Sequence, residues 1–497
     1  MQPIPKLLSK TKLLRGFRCL KYLYLTIHRP TLEAPITKET QALFDQGNTV
    51  GNKAREYYDG GILVDNKPWD FIGAIARTRD LIANNTETIY EAAFEYIGCY
   101  ARIDILQYIK SSKRWRIIEV KSTTKIKPEH YDDIALQAWI VAKTGLPIET
   151  IHLAHLNPAC TYPDLSDLFI DNDITDKIRE KYLTIQPALK EIVTAIRQEK
   201  TPNIDIGPYC LAPSECGFKE HCWQHIPKLS IFNLPQIKNR KWDFYQSGMT
   251  ELDDPRLTDL TDIQGRMVTC FKTGERYINR EAIAHALNKW QFPLVFLDFE
   301  TINDAIPRFA GCKPYSHVPF QFSVHIWQTP DSDITHHAFL HDTTDDPRPT
   351  LIPKLLAACE EEGSIVAYFS QFEGERIEAL AEYAPHYQIQ LMNLIERLVD
   401  PLPIIREAIY DNTFAGSFSL KSVAPALLGT EYSYDDMLVA NGNDAQRAFA
   451  ELIDPKTSTN QKSVIKEAML DYCKKDTFVM LKLVQWLYQQ IQETNPY

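Results

Sequence analysis

Two carboxylates close an apolar run at residues 294–301, LVFLDFET. Residues 294–297 read as a buried strand, and Asp298 and Glu300, two apart, then share one of its faces. Paired acids at the end of a buried strand repel each other and lose solvation unless a cation compensates, and a divalent metal is the usual one. A matching segment near the other end reads LDYCKKDTFVMLKLVQWL, where Leu470, Cys473, Phe478, Val479, Leu481 and Val484 fit a helical stripe. Tyr472 and Asp476 are four apart and fall on one face of that helix. Between the two lies SIVAYFSQFEGERIEAL, with a strand-like run at 365–369 and Glu373 opening the next segment. Asp298, Glu300, Glu373 and Asp476 are therefore expected to form one metal-binding assembly, with Tyr472 beside it.

A second constellation lies in the first half of the chain. GCYARIDILQYI places Asp104 between Ile103 and Ile105 in a strand. After the hairpin-like SSKRW, RIIEVKST alternates Ile118 and Val120 with Glu119 and Lys121. HYDDIALQAWIVAKTG then reads as a helix carrying Gln137. Asp104 and Glu119 could hold Mg²⁺, Lys121 could activate water and neutralise charge in a transition state, and Gln137 could align the strand with a substrate. Cysteines add a third set. Cys210, Cys216 and Cys222 have five residues between neighbours in a Gly- and Pro-rich stretch, and Cys19 is the available fourth thiol for a tetrahedral donor set. Zinc with His221 or His225 as substitute ligands, and three plain core cysteines, are the other readings.

The DxE strand, the middle acid and the final YxxxD resemble the DnaQ-like 3′–5′ exonucleases of the RNase H-like fold. That resemblance implies that Asp298, Glu300, Glu373 and Asp476 hold two Mg²⁺ or Mn²⁺ ions and that Tyr472 orients the attacking water; the family carries Asp where this chain has Glu373. Asp104, the Glu119-x-Lys121 triplet and Gln137 resemble the RecB-like members of the PD-(D/E)xK nuclease superfamily. Here the early helix has Gly51, Asn52 and Lys53 but no His, and Val141 stands where the family often has Tyr. One Cys before that core and three after it resemble the clasp of CRISPR-associated and AddB-type RecB-like nucleases, which implies a [4Fe–4S] cluster on Cys19, Cys210, Cys216 and Cys222. The family triplet begins with a tighter pair. The combination resembles a bacterial family in which a RecB-like domain precedes an RNase H-like domain. The implied function is metal-dependent hydrolysis of DNA phosphodiesters at two sites, the second a 3′–5′ exonuclease. An RNA exonuclease, or a nucleic-acid-binding scaffold with degenerate nuclease sites, are the alternatives. No Walker A, GxGxxG or helicase signature occurs, so a partner helicase or ATPase would have to supply any motor.

The elements that must position these residues set the frame. A length of 497 residues calls for two or three domains, expected as 1–226 (nuclease domain with the Cys cluster), 227–291 (helical connector) and 292–497 (RNase H-like domain). The fold class is α/β multidomain, a restriction-endonuclease-like domain followed by an RNase H-like one. Helices are expected at 13–30 with Cys19 inside, at 38–58 and at 175–199; IHLAHLNP, PFQFSVHIWQ and HHAFLH read as strands. The acidic SDLFIDNDITDK reads as a solvated connection and helix start, and His336, His337 and His341 as polar strand-edge positions. A net charge of −11 excludes a passive basic coat protein but not a nuclease whose acids hold metals. No run of 18 apolar residues and no leader pattern occur, so no membrane span is expected and a cytoplasmic location is.

Overall fold

The computed structural model describes residues 7–492 and shows a mixed α/β chain with several sheets. It divides into two units, the first running to His225 and including Ala305–Tyr315, the second made of Ile226–Asp304 and Ser316 onward. No helix among the described residues is long and apolar enough to cross a membrane.

The first unit is built on a seven-stranded sheet. Its strands are β1 (Leu8–Ser9), β2 (Ile62–Leu63), β3 (Thr88–Tyr96), β4 (Cys99–Ile109), β5 (Arg114–Lys121), β6 (Ile148–Leu156) and β7 (Phe169–Asp173). Its helices are α1 (Lys10–Arg18), α2 (Leu20–His28), α3 (Lys38–Tyr57), α4 (Phe71–Ala83), α5 (Pro128–Lys143), α6 (Thr175–Arg197) and the single turn α7 (Lys219–Cys222). β3, β4 and β5 form an antiparallel meander, and β6 runs parallel to β5. A parallel neighbour needs a crossover, and α5 supplies it, with every residue from Ile134 to Val141 buried.

Two expectations change here. The helix expected through Cys19 breaks there, at φ −164° and ψ 120°. Gly16 of α1 lies so close to α6 that a Cβ on it would come within 2.7 Å of Ile192. α2 instead sends Tyr24 and Leu25 against Phe218, and one straight helix does not serve both directions. The acidic stretch read as a connection contains strand β7, paired antiparallel with β6 at the sheet edge. An edge strand can turn acids to solvent, and Asp171 there accepts from the Tyr58 hydroxyl and pairs with His152, so apolar alternation is lost without loss of the strand.

The second unit carries a five-stranded sheet in the order β11-β10-β9-β12-β13. The strands, in chain order after the two-residue β8 (Tyr277–Ile278), are β9 (Leu294–Ile302), β10 (Val318–Trp327), β11 (Ile334–Leu340), β12 (Ile365–Val366) and β13 (Leu398–Val399); β14 (Ile409–Tyr410) pairs with β8. The helices are α8 (Arg240–Gln246), α9 (Asp262–Thr273), α10 (Arg280–Leu287), α11 (Arg348–Ala358), α12 (Ser370–Tyr383), α13 (Gln388–Glu396), α14 (Pro401–Ala408), α15 (Leu420–Leu428), α16 (Gly442–Ile453) and the long α17 (Thr459–Gln492). β9 is buried on both faces. Val295, Leu297 and Phe299 share a core with Leu351, Ile377 and Leu391, whereas Leu294 and Phe296 pack on Met480, Leu481 and Val484 of α17. Residues 226–291 are part of this unit's core: Ile231, Leu234, Ile283 and Leu287 cluster with Ile405, Tyr410 and Leu483. The strand-like run at 365–369 is a strand only over its first two residues, because Phe369 adopts φ +67° to start α12.

Candidate metal centres

In the second unit β9 and β12 are parallel, so both deliver their C-terminal ends to the same edge of the sheet. β9 brings Asp298, half-buried, and Glu300, 6% exposed. β12 leads through Phe369 into α12, whose first turn carries Glu373, 4% exposed. Asp400 fixes that turn by accepting from the backbone N–H of Phe369 (3.1 Å) and Ser370 (3.0 Å). α17 completes the set with Tyr472, Cys473 and Asp476, all buried. Polar residues on the acid-bearing face of the sheet hold that helix in register. Gln321, opposite Glu300, donates to Met469 O at 2.8 Å, while Ser323, opposite Asp298, and His325 meet the Thr477 hydroxyl at 2.7 and 2.8 Å.

The four carboxylates predicted together do come together, and they disturb one another. Burial first, then Asp476 and the neighbouring acids, push Asp298 and Glu300 well above the ordinary carboxylate range. Burial pushes Glu373 up to about 8, and its Oε2 is buried without a hydrogen-bond partner. Burial also raises Asp476, against the Tyr434 and Tyr472 hydroxyls and the Lys421 ammonium, which favour its charge. Two unit charges 4 Å apart in such surroundings repel by roughly 4 kcal/mol, so the cluster takes up protons or a cation. Asp298, Glu300 and Cys473 each offer a ligand atom within 4.8 Å of the others, the one such trio among the described residues. The donor set fits a divalent metal.

Lys421, Tyr434 and Cys473 lie at this centre although the sequence pattern did not assign them to it. Lys421 Nζ donates to the Tyr472 hydroxyl at 3.0 Å and to Ala440 O at 2.5 Å, and lies 5.0 Å from the Tyr434 ring centre. Alternate polar residues 321, 323 and 325 in an otherwise apolar strand were a usable signal, since they mark the face that meets the acids.

In the first unit, Asp104 on β4 accepts from Val120 N–H at 2.7 Å. Glu119, 2% exposed, accepts from Lys121 at 2.7 Å and from Lys10 at 3.2 Å. Both lysines also reach Asp133 of α5, Lys121 at 2.5 Å and Lys10 at 3.0 Å, and Gln137 donates to the same carboxylate at 3.1 Å. Burial and then Glu119 and Glu91 raise Asp104 well above the carboxylate range. Burial opposes ionisation of Asp133, but Lys10 and Lys121 outweigh it and hold that carboxyl far below its ordinary value. Lys10, Asp133 and Glu91 are additions to the predicted set. Glu91 sits on β3 at φ +56°, between the pairs that align Tyr90 with Ile105 and Ala92 with Ile103, so it faces Asp104. A positive φ at a strand Glu is strained, and such strain is held where the surrounding structure imposes it. A lone acid in the apolar run IYEAAF was its sequence signal.

Cys19, Cys210, Cys216 and Cys222 line one cavity together with Arg18, Lys21 and Phe218. Arg18 Nε donates to Tyr209 O at 2.5 Å and Lys21 Nζ to Ile204 O at 3.1 Å, which tie the early helices to the cysteine loop. No three of the four sulfurs lie within 4.8 Å of one another, whereas a single tetrahedral zinc with Zn–S bonds near 2.3 Å places its sulfurs about 3.8 Å apart.

A family profile described as a domain of unknown function (DUF2779) matches residues 295–419, a segment holding Asp298, Glu300 and Glu373. No curated protein matches the chain. Among solved structures, the chain is similar to the crystal structure of an alkaline exonuclease (LHK-Exo) from Laribacter hongkongensis. That match has 15% identity and a TM-score of 0.23, and covers 39% of this chain and 91% of that one.

Proposed function

We propose that the chain is a divalent-metal-dependent nuclease that hydrolyses DNA phosphodiesters at two centres, a RecB-like one in the first unit and a DnaQ-like 3′–5′ exonuclease centre in the second. The observation that carries this reading is the crowding of Asp298, Glu300, Glu373 and Asp476 with one buried carboxylate oxygen left unpartnered. Divalent ions bound there supply Lewis-acid stabilisation of the phosphate and of the leaving oxygen. Asp298, Glu300, Glu373 and Asp476 are the residues that would hold them. The Tyr472 hydroxyl accepts from Lys421 and hydrogen-bonds Asp476, which holds it beside the acids, where it would orient a water. Burial together with Asp476 raises that hydroxyl's pKa, so it stays protonated.

In the first unit, Asp104 and Glu119 would be the metal-holding pair, with Glu91 facing Asp104, and Lys121 would balance charge beside them. The four cysteines would clasp a [4Fe–4S] cluster. All four line one cavity, which supports a shared clasp, with zinc as the alternative occupant. A partner ATPase is the proposed source of strand separation.

The test is end-labelled DNA and RNA incubated with Mg²⁺, Mn²⁺ or EDTA and resolved by length. A DNA ladder that needs metal is expected. No product from either polymer overturns the reading, and products from RNA alone move it to an RNA exonuclease.

A further inference from the structure

We infer that Cys473 is itself a ligand of the second unit's metal centre, making it a mixed carboxylate–thiolate site that takes Co²⁺, Zn²⁺ and Cd²⁺ more tightly than an all-oxygen centre would. The inference rests on the metal-binding reading above and deepens it. Cys473 Sγ lies 3.6 Å from Asp298 Oδ2, and Asp298, Glu300 and Cys473 form the trio of ligand atoms within 4.8 Å of one another. A tetrahedral ion with metal–sulfur and metal–oxygen bonds near 2.3 and 2.1 Å places those two atoms about 3.6 Å apart. The separation is therefore the one a shared ion requires.

The helix supplies the direction. Cys473 and Asp476 are three apart on α17 and share a face, and Tyr472 flanks them, so the thiol points where the acids converge. A core cysteine that merely fills space would sit among apolar atoms. Instead this one has Asp298 as its hydrogen-bond partner, and the centre also contains the unpartnered, buried Glu373 Oε2. Carboxylates suit Mg²⁺ and Mn²⁺, whereas a thiolate adds affinity for softer ions. The thiol proton leaves to solvent as such an ion enters.

The test uses the full chain as purified. Mn²⁺ binding, followed by electron paramagnetic resonance in wild type and Asp298→Asn, first checks the carboxylate centre. Co²⁺ titration then reads the near-ultraviolet thiolate-to-cobalt band. We expect a band that excess Mn²⁺ displaces and that Cys473→Ser abolishes. Cd²⁺ affinity relative to Mn²⁺ should fall at least about tenfold in that variant. Asp298-dependent Mn²⁺ binding with an unchanged Cd²⁺/Mn²⁺ ratio overturns the thiolate ligand and leaves the carboxylate centre standing. Mn²⁺ binding indifferent to Asp298→Asn overturns the centre itself. Cys473→Ala replaces the serine variant if that one does not fold. The Mn²⁺-displaceable band in wild type decides without any variant, because its absence overturns the ligand.

Discussion

Each unit buries a cluster of carboxylates at the end of its sheet, yet the two clusters are compensated differently. In the first, Lys10 and Lys121 both reach Glu119 and Asp133, so an ammonium already occupies much of the space between acids. In the second, Lys421 spends its hydrogen bonds on Tyr472 and Ala440 and acts on Glu300 and Asp476 only through its charge. Buried charge without an internal partner is what an external cation can relieve. The second cluster thus has the stronger demand for an external cation, whereas the first meets part of its demand with two lysines.

The sharpest way to break that contrast is Asp298→Ala. It removes the carboxylate that lies nearest Cys473 and shares a strand face with Glu300, and should lower stepwise release from a 3′ end by more than about 10³-fold. Any cleavage by the first unit should persist in a product-length time course. Identical products from wild type and variant would return the DxE strand to a structural role. Next in size is Lys121→Ala, for which a loss of about 10²-fold or more is expected in whatever cleavage survives Asp298→Ala. Lys10→Met should instead raise the Mn²⁺ affinity of the first unit, because Glu119 and Asp133 lose an internal cation, and calorimetry in the Asp298→Ala background reads it.

A smaller effect separates positioning from binding. Tyr472→Phe keeps the ring, buried against Tyr434, and removes only the hydroxyl that Lys421 reaches. Its rate should fall by about 10²-fold while Mn²⁺ affinity stays unchanged. A parallel loss of metal affinity would make Tyr472 part of the metal's surroundings and not a water-orienting group.

Which parts of these sites could be read from the residues follows from the range of the forces involved. Asp298 with Glu300, Glu119 with Lys121, and Tyr472 with Asp476 are joined by strand or helix periodicity, and local spacing is enough to put each pair on one face. Glu373 was legible because it opens a helix straight after a strand. Lys10 and Asp133 were not, because Lys10 is brought to Glu119 across a separation of 109 positions that no local pattern encodes. Lys421 and Cys473 were not legible either, since a single polar or sulfur-bearing residue leaves a helical period intact. Break points were the other blind spot. The end of α1 at Cys19 depends on the close fit of Gly16 to Ile192, a tertiary contact that helix propensity does not see.

The smallest predicted effect is a slope with pH in the metal-free protein. Glu373 has an ordinary value near 4.5 and is pushed up to about 8 in the fold, and Asp298, Glu300 and Asp476 are raised as well. Between those values the unfolded chain has released protons that the folded chain still holds, so stability falls as pH rises, by up to about 1.4 kcal/mol per pH unit for each such carboxyl. Above the folded value both states are ionised and the slope ends. The first unit shares this through only two raised carboxyls, Asp104 and Glu91; Asp133 is shifted the other way, so it adds no slope above its ordinary value and its contribution is lost only on further acidification. Hydrogen exchange read by mass spectrometry, peptide by peptide, should therefore show β9 and α17 opening more readily from pH 5 to pH 8 than β4 and β5 do. Saturating Mn²⁺ should flatten the difference, because a bound cation takes over from the protons. Equal slopes in the two units with and without metal would mean that the lysines of the first cluster compensate no better than the bare acids of the second, and the contrast between the centres would fall with them.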